Sequence, residues 1–185
     1  MERMSVSEYK NLMSDPKKKK KNVRNRIKGT VNRRNGKLFE GIIEAACEQY
    51  FIKDIAHIEK TPEPMRPITG QSNDGSFKAV FEKKAQADYK GVLKGGRAVH
   101  FEAKHTDKDR IEYIAVSKEQ EENLDKTMQM DGVCFVLVSF GFQSFYKVPW
   151  GVWKNMKGIY GRKYLKPEDL EQYKVEYMGY LKFLG

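Results

Sequence analysis

The sequence has little of what a secreted or membrane-inserted protein needs. No run is long and apolar enough to span a bilayer, and the N-terminus is polar and then basic, without the apolar core of a signal peptide. Only two cysteines occur, Cys47 in a helical pattern and Cys134 in an apolar run, and both are expected to be buried, reduced thiols. With three histidines and no cysteine close to them, a transition-metal site is not expected either. These absences favour a soluble, cytoplasmic protein.

What the sequence has in excess is positive charge. Thirty-five Lys and Arg residues against 25 Asp and Glu residues give a formal net charge of +10. Such an excess favours a polyanionic partner, either nucleic acid or an anionic membrane surface, and charge alone does not choose between them. The 185 residues, 39% of them hydrophobic, suffice for one compact domain with its own core.

The first 34 residues carry dense basic charge and few apolar residues, which predicts a flexible arm that does not order itself. Its basic residues include Lys17, Lys18, Lys19, Lys20, Lys21, Arg24 and Arg26. A solvated tail or a localisation signal explains this segment as well as a DNA-contacting arm does. The arm becomes the better interpretation if residues 35–185 bind DNA.

Apolar residues recur at helical spacing over residues 36–51 and predict an amphipathic helix. Of its acidic residues, Glu40 lies nearest the margin of the apolar stripe, whereas Glu44 and Glu48 turn toward solvent. Glu40 is therefore the acidic residue of this helix that is best placed to face a cleft.

A short strand is predicted at residues 55–59, and a proline-rich segment follows it. Three prolines within residues 61–67 exclude a helix there. A polar turn over residues 71–76 and an alternating pattern over residues 77–81 then predict a further strand. We expect residues 66–84 to form an excursion away from the core.

The second half of the sequence alternates between strand and helix patterns. Strands at residues 87–93 and 98–104 are joined by a hairpin turn, and a capping box at Ser117 begins a helix that runs to about Met130. The apolar run 133–138 predicts a strand buried on both faces. One more strand and a helical or irregular C-terminal cap are expected after it. This order predicts an α/β fold in which helices flank a mixed sheet.

The strand at residues 98–104 carries a carboxylate and an amine on one face. Because side chains alternate along a strand, Glu102 and Lys104 point to the same side. Asp88, on the other strand of the hairpin, would add a second carboxylate. Carboxylates hold a hard cation, the cation polarises a phosphate and acidifies bound water, and a lysine positions hydroxide. The set therefore suits hydrolysis of a phosphodiester.

Asp88 joins this set only in some registers of the hairpin. With a two-residue turn, Asp88 faces Ala103 on the wrong side of the sheet. A three-residue loop with a bulge puts Asp88 opposite Lys104 and on the face of Glu102, as a local bend would also do. We predict one of these distortions.

A Glu-x-Lys pair on a strand is also common as a solvated, salt-bridging surface. Taken by itself, that interpretation is the stronger one. The hydrolytic interpretation gains support from the aspartate on the preceding strand, the acidic margin of the helix and the basic charge of the chain.

Six short motifs occur in an order that matches a known family. They are Asn35-Gly36-Lys37-Leu38-Phe39-Glu40, Ile58-Glu59-Lys60-Thr61-Pro62-Glu63-Pro64, Ala87-Asp88-Tyr89-Lys90-Gly91-Val92, Phe101-Glu102-Ala103-Lys104, Lys118-Glu119-Gln120 and Asp131-Gly132-Val133-Cys134-Phe135-Val136. The Asp and Glu-x-Lys arrangement resembles the PD-(D/E)xK nuclease superfamily. Within it, the chain resembles the RecU-type Holliday junction resolvases over roughly residues 36–140.

The resemblance implies a restriction-endonuclease-like mixed β-sheet flanked by helices, with a protruding stalk at about residues 66–84. It also implies a homodimer that binds branched DNA, especially four-way junctions, and makes paired nicks with Mg²⁺, or with Mn²⁺ in its place. That activity would resolve junctions in recombination and repair.

The resemblance also implies roles for individual residues. Asp88 and Glu102 would ligate the metal, with the carbonyl of Ala103 as a third ligand. Lys104 would position the nucleophilic water. Glu40 would complete the acidic cluster directly or through water.

DNA contacts are expected from the N-terminal arm, the stalk and the strand before it, whose charges suit phosphate groups. Besides the arm residues named above, the candidates are Lys60, Arg66, Lys78, Lys83 and Lys84.

Several alternatives stay open. The chain could be another nuclease of the superfamily that cuts flaps, ends or particular sequences, or a DNA-binding protein without catalysis. Gln120 fits an active-site role and the capping box equally well. Tyr89, Trp150 and Trp153 are expected to pack in the core rather than to stack on bases.

Overall fold

The structure is a computed structural model that describes residues 16–62, 65–68, 78–81 and 86–184. The helices are α1 (Pro16–Ile52), α2 (Lys118–Gln129), α3 (Trp150–Lys154) and α4 (Met156–Tyr160). Short 3₁₀ helices lie at Tyr113–Ala115, Pro167–Asp169 and Glu171–Tyr173. The strands are β1 (Ala56–Lys60), β2 (Met65–Pro67), β3 (Ala79–Phe81), β4 (Tyr89–Leu93), β5 (Ala98–Thr106), β6 (Ile111–Glu112), β7 (Val133–Phe140), β8 (Ser144–Pro149) and β9 (Tyr164–Leu165).

Helix α1 is much longer than the sequence pattern predicted, because it begins at Pro16 rather than at residue 36. By its internal contacts the chain divides into two units, Met1–Leu38 and Phe39–Gly185. The described residues of the first unit are helical, whereas the sequence pattern predicted no helix before residue 36. A flexible basic arm over residues 1–34 stays a prediction. Lys and Arg are good helix formers, and a helix extends readily from a segment that is already formed.

A five-stranded mixed sheet lies at the centre of the second unit, in the order β1-β4-β5-β7-β8. Strands β5 and β7 are parallel, and the other neighbouring strands of this sheet are antiparallel. A parallel pair needs a crossover connection, and α2 lies within it. The predicted α/β class, with helices flanking a mixed sheet, is confirmed.

Hydrophobic side chains fill both faces of this sheet. On one face, Phe39 and Ile43 of α1 pack with Phe101, Phe135 and the C-terminal segment. The rings of Tyr89, Phe101 and Phe135 stack across three neighbouring strands, with centroid separations of 4.9 and 4.6 Å. Tyr89 is buried in this cluster, as the sequence predicted.

The other face of the sheet packs against α2 and α3. Leu124 of α2 and the two tryptophans Trp150 and Trp153 are fully buried there together with Val136 and Val138. The expectation that both tryptophans pack in the core is confirmed. Both cysteines are buried and free, also as predicted.

The excursion at residues 66–84 is described only at its two ends. Strands β2 and β3 pair antiparallel, with Arg66 opposite Val80. The predicted turn at residues 71–76 lies outside the described residues, so a protruding stalk stays a prediction. Among the helices of the described residues, none is both long enough and apolar enough to cross a membrane.

Candidate functional site

The hairpin between β4 and β5 decides which carboxylates share a face of the sheet. Its loop contains three residues, Lys94 to Gly96, and is closed by a hydrogen bond from the Leu93 amide to the Arg97 carbonyl at 2.8 Å. Gly95 and Gly96 have φ angles of 94° and 90°, a region that favours glycine. The three-residue loop is one of the predicted departures from a two-residue turn.

The register of the hairpin differs in detail from the prediction. Tyr89 pairs with Phe101, so Asp88, just before β4, lies next to Glu102 rather than opposite Lys104. The strands pair without an extra bulged residue, which moves Asp88 by two positions along β5. Because side chains alternate, a shift of two residues leaves Asp88 on the same face.

Asp88, Glu102, Lys104 and Gln120 form one connected group, which we call the carboxylate cluster. The ammonium of Lys104 donates to Glu102 Oε2 at 2.8 Å and to Asp88 Oδ2 at 3.1 Å. The Ala103 amide donates to the same Asp88 oxygen at 3.1 Å. This backbone contact could not be predicted from the residue type, because every residue except proline can supply a backbone amide.

Gln120 takes part in the predicted capping box and also contacts two carboxylates, while its role in an active site stays a prediction. Its side-chain Oε1 accepts a hydrogen bond from the Ser117 backbone amide at 3.1 Å, and the Gln120 backbone amide donates to Ser117 Oγ. The two hydrogen bonds complete the predicted capping box. Its Nε2 donates to Glu102 Oε2 and, at 3.4 Å, to Asp88 Oδ1. The cap of α2 therefore fixes the side chain that holds the two carboxylates.

The electrostatics of the cluster are dominated by the burial of Glu102, whose side chain is 0% exposed. Desolvation raises the pKa of Glu102 to about 8, against the opposing effect of Lys104. Burial disfavours the charged form of Lys104, but the attraction of Asp88 and Glu102 and their hydrogen bonds outweigh it and raise the pKa of the amine. One oxygen, Glu102 Oε1, is buried without a hydrogen-bond partner among the residues that the structure describes.

These features fit a hard divalent cation. A buried carboxylate oxygen without a donor is unfavourable unless it is paired or binds metal, and oxygen ligands suit Mg²⁺. Asp88 and Glu102 supply two carboxylates. Within the described residues, no group of three or more His, Cys, Asp and Glu side chains is placed to hold a metal ion, so a third protein ligand would come from the backbone.

Glu40 is held by a lysine rather than by the carboxylate cluster. Its carboxylate accepts from Lys60 at 2.7 Å, and Lys60 also lies 3.9 Å from Glu44. The hydrogen bond to Glu40 is the main reason why the pKa of Lys60 is raised. Glu40 makes no direct hydrogen bond with the described residues of the cluster. Its participation in the site stays a prediction.

The predicted DNA-contacting residues are only partly described. Arg26, Arg66 and Lys78 are exposed. Nothing is described of Lys83 and Lys84, or of the side chains of Lys17, Lys18, Lys19, Lys20, Lys21 and Arg24.

The two histidines beside the cluster contact neighbouring polar groups. The Nδ1 atom of His100 lies 2.9 Å from Thr127 Oγ1, and burial lowers the pKa of this histidine. His105 lies 3.1 Å from Ser139 Oγ and 3.0 Å from Asp107.

The mixed sheet, with an aspartate before one strand and Glu-x-Lys on the next, places the chain in the class of PD-(D/E)xK proteins. Comparison with known families narrows the class, because the model of the family described as Recombination protein U matches residues 34–184. The chain belongs to this RecU family.

Two similar curated proteins carry the name of this family. The Holliday junction resolvase RecU of Streptococcus sanguinis is 28% identical over 173 residues, 84% of this chain and 86% of the relative. The protein of the same name from Streptococcus agalactiae is 31% identical over 136 residues, and the match spans 71% of this chain and 63% of that protein. A solved structure of Archaeoglobus fulgidus Hjc, a Holliday junction resolvase, matches 64% of this chain and 75% of its own at 11% identity, with a TM-score of 0.41.

Proposed function

We propose that the protein is a structure-selective endonuclease that resolves four-way DNA junctions by paired, metal-dependent hydrolysis of phosphodiesters, in recombination and repair. The observation that carries this proposal is the contact of Lys104 with both Asp88 and Glu102 on one face of the sheet. The names of the relatives add the junction as the substrate.

The metal would be Mg²⁺, or Mn²⁺ in its place, held by Asp88, Glu102 and the carbonyl of Ala103. When bound, such a cation polarises the phosphodiester and makes water a stronger nucleophile at neutral pH. It would also neutralise the buried Glu102 Oε1, which has no donor within the described residues.

The side chains of the chain have separate tasks in this proposal. Lys104, only 18% exposed, keeps its proton and can donate a hydrogen bond to the attacking water or hydroxide. Gln120 and the Ala103 amide fix the carboxylates by donating to them. This fixed arrangement of groups before substrate arrives is what lowers an activation barrier.

Recognition of the junction would come from a homodimer with two such sites. The basic residues of α1 and of the excursion would contact phosphates, which makes binding strongly dependent on salt. Glu40 and its partner Lys60 lie on neighbouring elements and would take part at the margin of the site.

The test is cleavage of a synthetic four-way junction compared with a linear duplex of the same arm sequences, in Mg²⁺ and in EDTA. We expect symmetric nicks in the junction, little cutting of the duplex and no product in EDTA. Equal cleavage of both DNAs would show a nuclease of the superfamily with another specificity. Retained junction affinity without product at any Mg²⁺ concentration would show a binding protein.

A further inference from the structure

The chain between β5 and α2 contributes one strand of a small ribbon. Strands β6 and β9 pair antiparallel, with Ile111 opposite Leu165. Both of these residues are buried in the same hydrophobic cluster as Leu124 of α2. The ribbon therefore packs on the face of the sheet that carries Glu102 and Lys104.

Cationic side chains that flank the two strands of the ribbon lie over tyrosine rings. The guanidinium of Arg110 is 4.8 Å from the ring centre of Tyr164, and that of Arg162 is 4.9 Å from the same ring. The ammonium of Lys163 lies 5.4 Å from the ring centre of Tyr113. These distances are within the range of cation–π attraction.

A tyrosine ring is neutral, so it orients a cation and leaves the positive charge in place. A carboxylate in the same position would cancel that charge. Arg110 is paired with Glu112 and Arg162 with Asp169. Within the described residues, the ammonium of Lys163 has no ion pair and no hydrogen bond, and the side chain is exposed. Residues 157–166 contain four basic residues and no acidic one. Lys163 is therefore a positioned positive charge that is free to bind an anion.

The ribbon is tied to the carboxylate cluster at two points. Nine peptide links separate Lys104 of the cluster from Tyr113, whose amide donates to the Lys163 carbonyl at 2.9 Å. Such a stretch spans at most about 32 Å, the length of roughly nine nucleotides of one strand. On the other side, Tyr113 lies close to Glu121, the residue after Gln120. Burial, and next the hydrogen bond with Glu121, raise the pKa of Tyr113 to about 12.

We propose that the β6–β9 ribbon and the residues that flank it are a further DNA-contact surface, in which Lys163, held over Tyr113, binds a backbone phosphate within about nine nucleotides of the bond that is cut. This inference rests on the proposed function for the position of the cut. The ligand is the phosphodiester backbone, because a ring already covered by a cation offers a charge rather than a stacking surface for a base.

The first test measures the affinity of Lys163→Gln for a labelled four-way junction in EDTA, where no cleavage occurs, over a series of salt concentrations. We expect several-fold weaker binding at low salt, and a slope of log Kd against log salt that is smaller by roughly 0.9, the loss of one phosphate contact. Lys182→Gln is the matched control, because Lys182 is exposed between Leu181 and Phe183, which pack on the opposite face of the sheet. It should bind as the wild type does.

Two variants of the ring test how Lys163 is positioned. Tyr113→Phe keeps the ring and should keep the affinity, whereas Tyr113→Leu removes the ring and should resemble Lys163→Gln. Melting temperatures of all variants show whether the fold is intact. Wild-type affinity and salt slope in a folded Lys163→Gln would overturn the inference.

A second test locates the contact. Single neutral methylphosphonates are placed at each position within about nine nucleotides of the cut. When the contacted phosphate is made neutral, the wild type should bind the DNA more weakly than it binds unmodified DNA. Lys163→Gln should bind the modified and the unmodified DNA equally well. If the wild type cuts no DNA at all, the proposed function fails, but the loss in Lys163→Gln would still show a DNA contact. If the wild type cuts and Lys163→Gln binds normally, only the ribbon inference fails.

Discussion

At the residue scale, Glu102 is a buried carboxylate whose charged form is unfavourable. A fully buried carboxylate with one oxygen unpartnered is costly in the charged form, and the raised pKa is the expression of that cost. Lys104 and Gln120 compensate at the other oxygen only. Perturbed groups of this kind concentrate at functional sites.

This leads to a prediction for the metal-free protein. The pKa of Glu102 is 4.5 ordinarily and about 8 when folded, so between these pH values the folded state holds a proton that the unfolded state has released. Stability from this group therefore falls as pH rises from about 4.5 to 8. Glu102→Gln should gain in melting temperature relative to the wild type across this window in EDTA. Parallel curves for the two proteins between pH 5 and 8 would contradict the assignment.

Asp88→Asn should abolish cleavage and leave junction binding largely intact. Loss of residues that merely support a metal ligand costs about 10- to 100-fold, so loss of the Asp88 carboxylate should cost more than about 100-fold. Single-turnover cleavage in Mg²⁺ measures the loss, and junction affinity is measured in EDTA. Glu48→Gln, an exposed change on α1, serves as the control. Undiminished cutting by Asp88→Asn would remove Asp88 from the site.

At the element scale, α2 connects stability to the site. Its N-terminus is closed by the capping box of Ser117 and Gln120, and its far half packs through Leu124. The same Gln120 side chain reaches the carboxylates. A loosened cap would therefore affect both the helix and the position of Glu102.

Ser117→Ala should destabilise the protein by about 1 kcal/mol, because the backbone amide of Gln120 loses the Ser117 hydroxyl as its hydrogen-bond acceptor. Urea unfolding measures this change. The cleavage rate should also fall, since Gln120 is less firmly held, while Ser117→Asp, which can still cap the helix, should restore stability. A Ser117→Ala protein as stable as the wild type would show that the cap contributes nothing.

At the scale of the whole molecule, the proposal requires two sites that act together. In a homodimer, each subunit cuts one strand, so a dimer with one inactive subunit should make one nick. Mixed dimers of wild type and Asp88→Asn should convert a supercoiled cruciform plasmid into nicked circles rather than linear product. Wild-type dimers taken through the same mixing procedure are the control. Undiminished linear product from verified mixed dimers would argue against one site per subunit.

The sequence by itself determined the structural features that depend on the pattern of neighbouring residues. Alternation along residues 98–104 put Glu102 and Lys104 on one face, and the Ser117 capping box located the start of α2. The apolar run of β7 marked a strand buried on both sides. These signals are read within a few residues, so they do not depend on what the rest of the chain does.

Only the tertiary structure decided the features that depend on contacts between residues far apart in the sequence. The loop of three residues and the pairing of Tyr89 with Phe101 set the neighbour of Asp88, which alternation alone left open. The hydrogen bond of Glu40 with Lys60 and the contact of Gln120 with Glu102 depend on how separate elements pack. The desolvation that raises the pKa of Glu102 likewise exists only once the chain is folded around it, because burial is a property of the packed molecule and not of any segment.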